Sequence, residues 1–166
     1  MSLQTFTLIH VLISLAGIAS GLVVMYGFLT NRRLDRWTTI FLTTTALTSL
    51  TGFLFPFKGV TPAIKLGIIS LVVLAIAIVT RYPLHLSWRK TYVIAASAAL
   101  YFNVFVLVVQ FFEQVPALRA IAPTQKEPTF AITQISVLVL FVVLTTFAVK
   151  KFREPMTVAK SGASAA

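Results

Sequence analysis

Long apolar runs dominate this chain and restrict what it can fold into. Five such runs cover residues 6–30, 38–57, 62–80, 91–112 and 130–149. An α-helix rises 1.5 Å per residue, so about twenty residues cross a hydrocarbon core of ~30 Å. The chain is therefore predicted to be an all-α integral membrane protein built as a bundle of five transmembrane helices.

The composition supports this class. Of 166 residues, 58% are hydrophobic and only 11% are charged, whereas soluble domains carry about 25% charged residues. A water-soluble core in so short a chain could not bury this much apolar surface. The absence of cysteine excludes disulfides, iron–sulfur clusters and thiolate zinc sites.

The predicted organisation is a single transmembrane domain over residues 1–152, followed by a polar, disordered tail over 153–166. The longest connection runs from Gln114 to Thr129, and its middle, PALRAIA, is predicted to form a short helix on the membrane surface. The first run lacks the basic n-region of a signal peptide, so it is expected to remain as a helix.

Lysine and arginine are distributed unevenly between the two sides of the predicted bundle. One side holds ten of them and the other holds four. Because positive loops stay in the cytoplasm, this bias predicts the N-terminus outside and the C-terminus inside. The net charge of +10 therefore requires no nucleic-acid partner. The residues expected to meet anionic lipid headgroups on the inner face are Arg32, Arg33, Arg36, Arg89, Lys90, Lys150, Lys151 and Arg153.

Two amides, Asn103 and Gln110, interrupt the apolar fourth run in the stretch YFNVFVLVVQFFEQ. On a helix they share a stripe with Glu113 at spacings of three and four residues. Such amides either bond neighbouring helices together or line a pocket or path. The first interpretation is preferred, and the second leaves Asn103, Gln110, Glu113 and His10 as a candidate polar site within the membrane.

Small and hydroxyl residues predict helix-packing faces in the first two runs. Gly17 and Gly21 form a G-x-x-x-G pattern, which allows a close approach to another helix. The second run is rich in threonine, and Thr44 and Thr48 lie on one face of it. Threonines in such helices usually bond their own backbone one turn back, so these two are predicted to pack rather than to line a cavity.

No catalytic, metal or cofactor site is predicted. His10 and His85 could ligate a haem in principle, but the predicted topology separates them by most of the bilayer. No carboxylate lies inside an apolar run, and no nucleophile–base–acid set is assembled. Glu113 and His10 are the only acid–base pair that the topology could bring to one side.

The blocks TGFLFPF, SWRKTYVIAASAALYFNVFVLVVQFF and VPALRAIAPT resemble those of small bacterial inner-membrane proteins of unassigned function. The resemblance covers about the last two-thirds of the chain. It implies an all-helical, multi-pass protein of the bacterial inner (cytoplasmic) membrane. It supplies no functional residue.

These observations lead to a first hypothesis of a non-enzymatic accessory, scaffold or partner subunit in the membrane. Its partners would be lipids and other membrane proteins or further copies of itself. One alternative is a carrier or channel-like protein for a small solute that uses the Asn103/Gln110 stripe. Another is a binder or enzyme for a lipophilic molecule, such as a quinone or a lipid, near Glu113 and His10.

Overall fold

The computed structural model describes residues 2–56 and 62–153, most of which are helical. The helices in this part of the chain are α1 (Leu3–Leu29), α2 (Asp35–Gly52), α3 (Pro62–Arg81), α4 (Arg89–Gln114), α5 (Pro116–Ile121) and α6 (Pro128–Lys151). The short α5 corresponds to the surface helix predicted from PALRAIA. Of the tail predicted over 153–166, residues 154–166 lie outside the described residues.

Four of these helices are long and apolar enough to cross a membrane, namely α1, α3 from Ile64 onward, α4 and α6. The sequence predicted five crossings, and α2 is the helix that does not meet this standard. The reason is its composition, because α2 begins with Asp35 and Arg36 and continues through a run of threonines. Length is not the obstacle, since α2 has 18 residues.

The end of α2 also differs from the predicted boundary at residue 57. The helix stops at Gly52, and residues 53–55 form a turn and a bend. Pro56 disfavours helical backbone at Phe55, so the apolar run outlasts the helix. The Phe55 ring instead packs back on α1, with its centroid 4.9 Å from that of Phe6.

One end of the bundle is here named the basic end. It contains the end of α1, the start of α2, the end of α3, the start of α4 and the end of α6. The Arg81 guanidinium of α3 pairs with Asp35 of α2. The Arg153 backbone N–H, just after α6, donates to Asn31 Oδ1 just after α1 at 2.7 Å.

The remaining helix ends meet at the opposite end. His10 near the start of α1 shares a hydrogen bond with Thr51 near the end of α2. The Phe112 ring of α4 meets the Phe130 ring of α6 edge-on, with centroids 5.3 Å apart. Successive long helices therefore run in opposite directions between the two ends of the bundle, and α2 runs antiparallel to α1 along its length.

Helix α4 lies at the centre of the bundle and contacts α1, α3, α5 and α6. Its first half carries small residues at the buried positions Ala95, Ala96, Ser97 and Ala99. Small side chains let helix backbones approach closely where no hydrophobic effect drives association. Tyr92 and Val93 of the same helix are completely buried.

The outer surface of the bundle is apolar. Large side chains such as Leu12, Val72, Ile94 and Val139 are exposed on four different helices. In water such a surface would be an aggregation liability, whereas in a bilayer it is the surface that contacts lipid. The exposed faces thus agree with a membrane location.

Candidate functional site

Polar side chains line the contact between α1, α2 and α4. This polar seam consists of His10, Ser14, Thr45, Thr48, Thr51 and Asn103. His10 Nδ1 lies 2.8 Å from Thr51 Oγ1, and Ser14 Oγ lies 3.4 Å from Thr48 Oγ1. Asn103 Nδ2 donates to Thr45 Oγ1 at 3.0 Å. Three helices are thus joined by side-chain contacts in their apolar segments.

Helical spacing explains why these residues face one another. Positions 10, 14, 17 and 21 share one face of α1, because they are separated by three or four residues. The antiparallel α2 presents residues 51, 48, 44 and 41 in the matching order. The less apolar helix therefore turns Thr44, Thr48 and Thr51 toward α1, while Thr39 and Thr43 stay exposed.

The G-x-x-x-G face packs inside this junction. A Cβ atom at Gly17 would lie 3.2 Å from Thr44 Oγ1 and 3.7 Å from Asn103 Nδ2. At Gly21 it would lie 2.5 Å from Leu100 Cδ1 and 2.9 Å from the Phe41 ring. The two glycines thus serve a contact within one chain, with α2 and α4 together.

Thr44 and Thr48 occupy the same face but use their hydroxyls differently. Thr44 Oγ1 donates to its own helix, at 2.7 Å to the Ile40 carbonyl oxygen, as is typical of threonine in an apolar helix. Thr48 Oγ1 lies opposite Ser14. Neither residue lines the open depressions beside the start of α1 and beside the α5–α6 connection.

The predicted amide stripe of α4 divides into two environments. Asn103 faces α1 and α2, where its amide nitrogen is bonded. Gln110, two turns later, is exposed. Glu113 is also exposed and accepts a hydrogen bond from Gln125 Nε2 at 3.2 Å. The structure therefore separates Asn103 from the other two members of the stripe.

The histidines also lie apart. The His10 ring packs edge-on against Phe55, with centroids 5.1 Å apart, at the opposite end of the bundle. His85 is exposed in the turn between α3 and α4 at the basic end. His10 and Glu113 lie toward the same end, but each bonds to a different element, α2 for His10 and the α5–α6 connection for Glu113.

The connection between α5 and α6 is held by its own carboxylate. Glu127 accepts hydrogen bonds from the Thr124 hydroxyl at 2.8 Å and from the backbone N–H groups of Thr124 and Lys126. Desolvation acts to raise the pKa of Glu127, but these hydrogen bonds outweigh it and lower that pKa overall. Beside this connection lies an open depression of about 490 Å³ lined by residues including Glu113 and Arg119.

A buried arginine at the basic end escaped the sequence analysis, which treated it as one more loop charge. The Arg81 side chain is 7% exposed and pairs with Asp35, which is 67% exposed. Arg81 Nη1 also donates to the Tyr92 hydroxyl at 3.0 Å. Its guanidinium carbon lies 5.3 Å from the Tyr92 ring centroid and 5.6 Å from that of Tyr82. Arg81 therefore joins α2, α3 and α4.

The available signal for this cluster was the position of its two charges. Asp35 is the acidic residue in the first turn of α2, and Arg81 is the basic residue in the last turn of α3. An acidic residue at the start of a helix and a basic residue at the end of a helix both interact favourably with the helix dipole. Only the folded chain shows that the two ends meet.

Gln134 of α6 is a further buried polar residue that the sequence analysis passed over. Its Nε2 donates to the Phe105 backbone carbonyl at 3.2 Å. Its Oε1 and the Ser97 hydroxyl are buried without a hydrogen-bond partner among the described residues. Gln134 attaches α6 to α4, as Asn103 attaches α4 to α2.

The predicted headgroup residues lie at the basic end, mostly exposed. Arg89 is the exception, because it is half-buried and its Nη1 has no partner in the described part of the chain. Within residues 2–56 and 62–153, no group of three or more His, Asp or Glu side chains is arranged to hold a metal ion. No protein-family model, curated protein or solved structure matches this chain.

Proposed function

We propose that this chain is a non-enzymatic membrane protein that acts as an accessory, scaffold or partner subunit. In this role its lipid-facing surface meets lipids and neighbouring helices, and its basic end rests on anionic headgroups. The protein would then act through its surfaces rather than through an internal site.

The observation that carries this proposal is the use of the polar groups between the helices. Asn103 bonds Thr45, and His10 bonds Thr51. A carrier needs such groups to converge on a space that a solute can occupy. Here the open depressions beside the start of α1 and beside the α5–α6 connection are lined by neither Asn103 nor His10. The seam is therefore best understood as helix–helix attachment.

We also propose that α2 completes a fifth crossing. Helices α1 and α3 both run from the opposite end to the basic end, so the chain must return between them. Helix α2 makes this return, since its start pairs with Arg81 and its end bonds His10. Turning Thr44, Thr48 and Thr51 toward α1 lowers the cost of placing so polar a helix in lipid.

The proposed orientation places the basic end in the cytoplasm and the N-terminus outside. Lysine and arginine near membrane helices favour the cytoplasmic side. Trp37 and Trp88, which are 46% and 63% exposed, both lie at the basic end, where indole rings suit a headgroup layer. Together with the bacterial resemblance of the sequence, this supports a multi-pass protein of the bacterial inner membrane.

The absence of cysteine allows a direct test of this topology. A cysteine introduced as Ser87→Cys should react with a membrane-impermeant thiol reagent only from the cytoplasmic side. Leu54→Cys, which lies just after α2 and is 71% exposed, should react only from outside. Arg33→Cys in the α1–α2 turn, where Arg33 is exposed, should react from the same side as Ser87→Cys. Reaction of Arg33→Cys and Leu54→Cys from one side would show that α2 does not cross.

Native mass spectrometry of the protein released in its own lipid tests the accessory role. A second protein chain, or a defined homo-oligomer with ordinary lipids only, is the expected result. A stoichiometric small organic molecule would favour the lipophilic-ligand alternative. A bare monomer that moves a solute across vesicle membranes would favour the carrier.

A further inference from the structure

The turn after α1 has a defined geometry that brings basic residues to a fixed place. Asn31 adopts a positive φ of 55°, and the Arg32 N–H donates to the Gly27 carbonyl oxygen at 2.8 Å. This is the Schellman ending of a helix, with asparagine in the left-handed position. A Cβ at Gly27 would lie 2.9 Å from the Arg32 carbonyl oxygen, so glycine is needed for the chain to fold back.

Asn31 also holds the far end of the chain. Its side-chain oxygen accepts the hydrogen bond from the Arg153 N–H across 122 positions of sequence. Phe152, beside it, is buried against the Phe28 ring of α1 with centroids 5.0 Å apart. The end of α6 is therefore fixed against the turn that follows α1.

This attachment joins two basic sequences into one cluster. The basic corner consists of Arg32, Arg33, Lys151 and Arg153, all of them exposed. Their charges have no acidic partner among the described residues, where the one ion pair joins Arg81 to Asp35. Glu113 and Glu127 lie at the opposite end. Like charges held close together repel one another, so the corner is complementary to an anion.

We propose that the basic corner is a specific site for the phosphate of an anionic phospholipid headgroup, held between the end of α1 and the end of α6. This proposal deepens the headgroup contact in the proposed function and rests on its membrane location. The corner lies where two lipid-exposed helices end, so a headgroup can reach its phosphate-binding groups while the acyl chains stay along the bundle. Guanidinium groups bind phosphate through paired hydrogen bonds.

A single site shared by both halves of the basic corner predicts a different response to lipid from a diffuse basic surface. Phosphatidylglycerol added to the detergent-solubilised protein should raise its Tm by about 4 °C or more relative to phosphatidylcholine. The double variants R32Q/R33Q and K151Q/R153Q should each lose most of this rise, and the fourfold variant should lose little more. Such non-additivity is the mark of residues that act on one ligand.

The matched control is R36Q/K90Q, which removes two charges from the basic end outside the corner. It should keep the full rise in Tm. An equal loss in R36Q/K90Q, or losses that simply add in the fourfold variant, would overturn the proposal in favour of diffuse attraction. An equal rise with inorganic phosphate would overturn the assignment to a lipid.

Asn31→Gly provides a second test that keeps the turn. Glycine adopts the left-handed conformation readily but cannot accept from the Arg153 N–H. The variant should fold and yet lose most of the response to phosphatidylglycerol, because the two halves of the corner are no longer attached. A full response would overturn the site. The native mass spectra test the accessory role separately. Loss of the partner chain there would count against the accessory role and not against the lipid site.

Discussion

Asn103 and Gln110 carry the same functional group on the same helix, but their positions give them different roles. Asn103 lies seven residues before Gln110, on the part of α4 that contacts α1 and α2. There the lack of a side chain at Gly17 and the small side chain of Thr45 leave room for its amide. Gln110 lies beyond this junction and is exposed. Spacing along a helix predicts a shared stripe, but not where along that stripe a neighbouring helix lies.

The two amides therefore predict opposite results for the same substitution. Asn103→Leu should lower the free energy of unfolding by about 1 kcal/mol, because Thr45 loses its cross-helix hydrogen bond. Gln110→Leu should leave it unchanged or slightly raised, since leucine suits a lipid-exposed position. Thermal unfolding in detergent measures both. Equal destabilisation by the two variants would contradict the assigned roles.

Gly21 tests the packing of the three-helix junction. Gly21→Ala should destabilise the protein by about 1–3 kcal/mol, because the added Cβ would approach Leu100 Cδ1 to 2.5 Å. The matched control is Gly52→Ala, where the nearest atom, His10 Cε1, would lie 3.8 Å away. The control should unfold at the wild-type temperature, and a similar loss at both positions would indicate a general intolerance of alanine.

At the scale of the helices, the sequence predicted where the apolar elements are but could not show how their ends meet. The Arg81 cluster illustrates this limit. Residues 35 and 81 are separated by α2 and α3, and only the antiparallel packing of these helices brings the two charges together. The end of α2 was predicted at 57 for the related reason that hydropathy does not register the backbone restriction imposed by Pro56.

The two partners of this ion pair should differ in their contributions. Arg81→Gln should cost about 1–2 kcal/mol, because it removes contacts with two aromatic rings and the Tyr92 hydroxyl but leaves behind only an exposed carboxylate. Asp35→Asn should cost about 3 kcal/mol, because it leaves the buried Arg81 cation without its counter-charge. Chemical denaturation compares them, and a smaller loss for Asp35→Asn than for Arg81→Gln would contradict the burial of Arg81.

At the scale of the whole molecule, the bundle assigns its polar groups to three places. One set attaches helices to one another within the membrane, a second set forms the basic end, and a third organises the connection at the opposite end. The sequence indicates the first and second sets through composition and charge. It could not predict that the two basic sequences of the basic corner, residues 32–33 and 151–153, meet at Asn31, because that contact depends on how α6 packs against α1.

The proposed function requires a polar seam that is closed to solvent, and cysteines placed in the seam report this through their reactivity. Thr45→Cys and Thr48→Cys each replace one seam hydroxyl in a chain that has no other thiol. Neither should react with a small charged thiol reagent from either side of the membrane, whereas Ser87→Cys at the basic end should react. Rapid modification of Thr45→Cys, with the fold intact by circular dichroism, would show an aqueous path along the seam and favour the carrier instead.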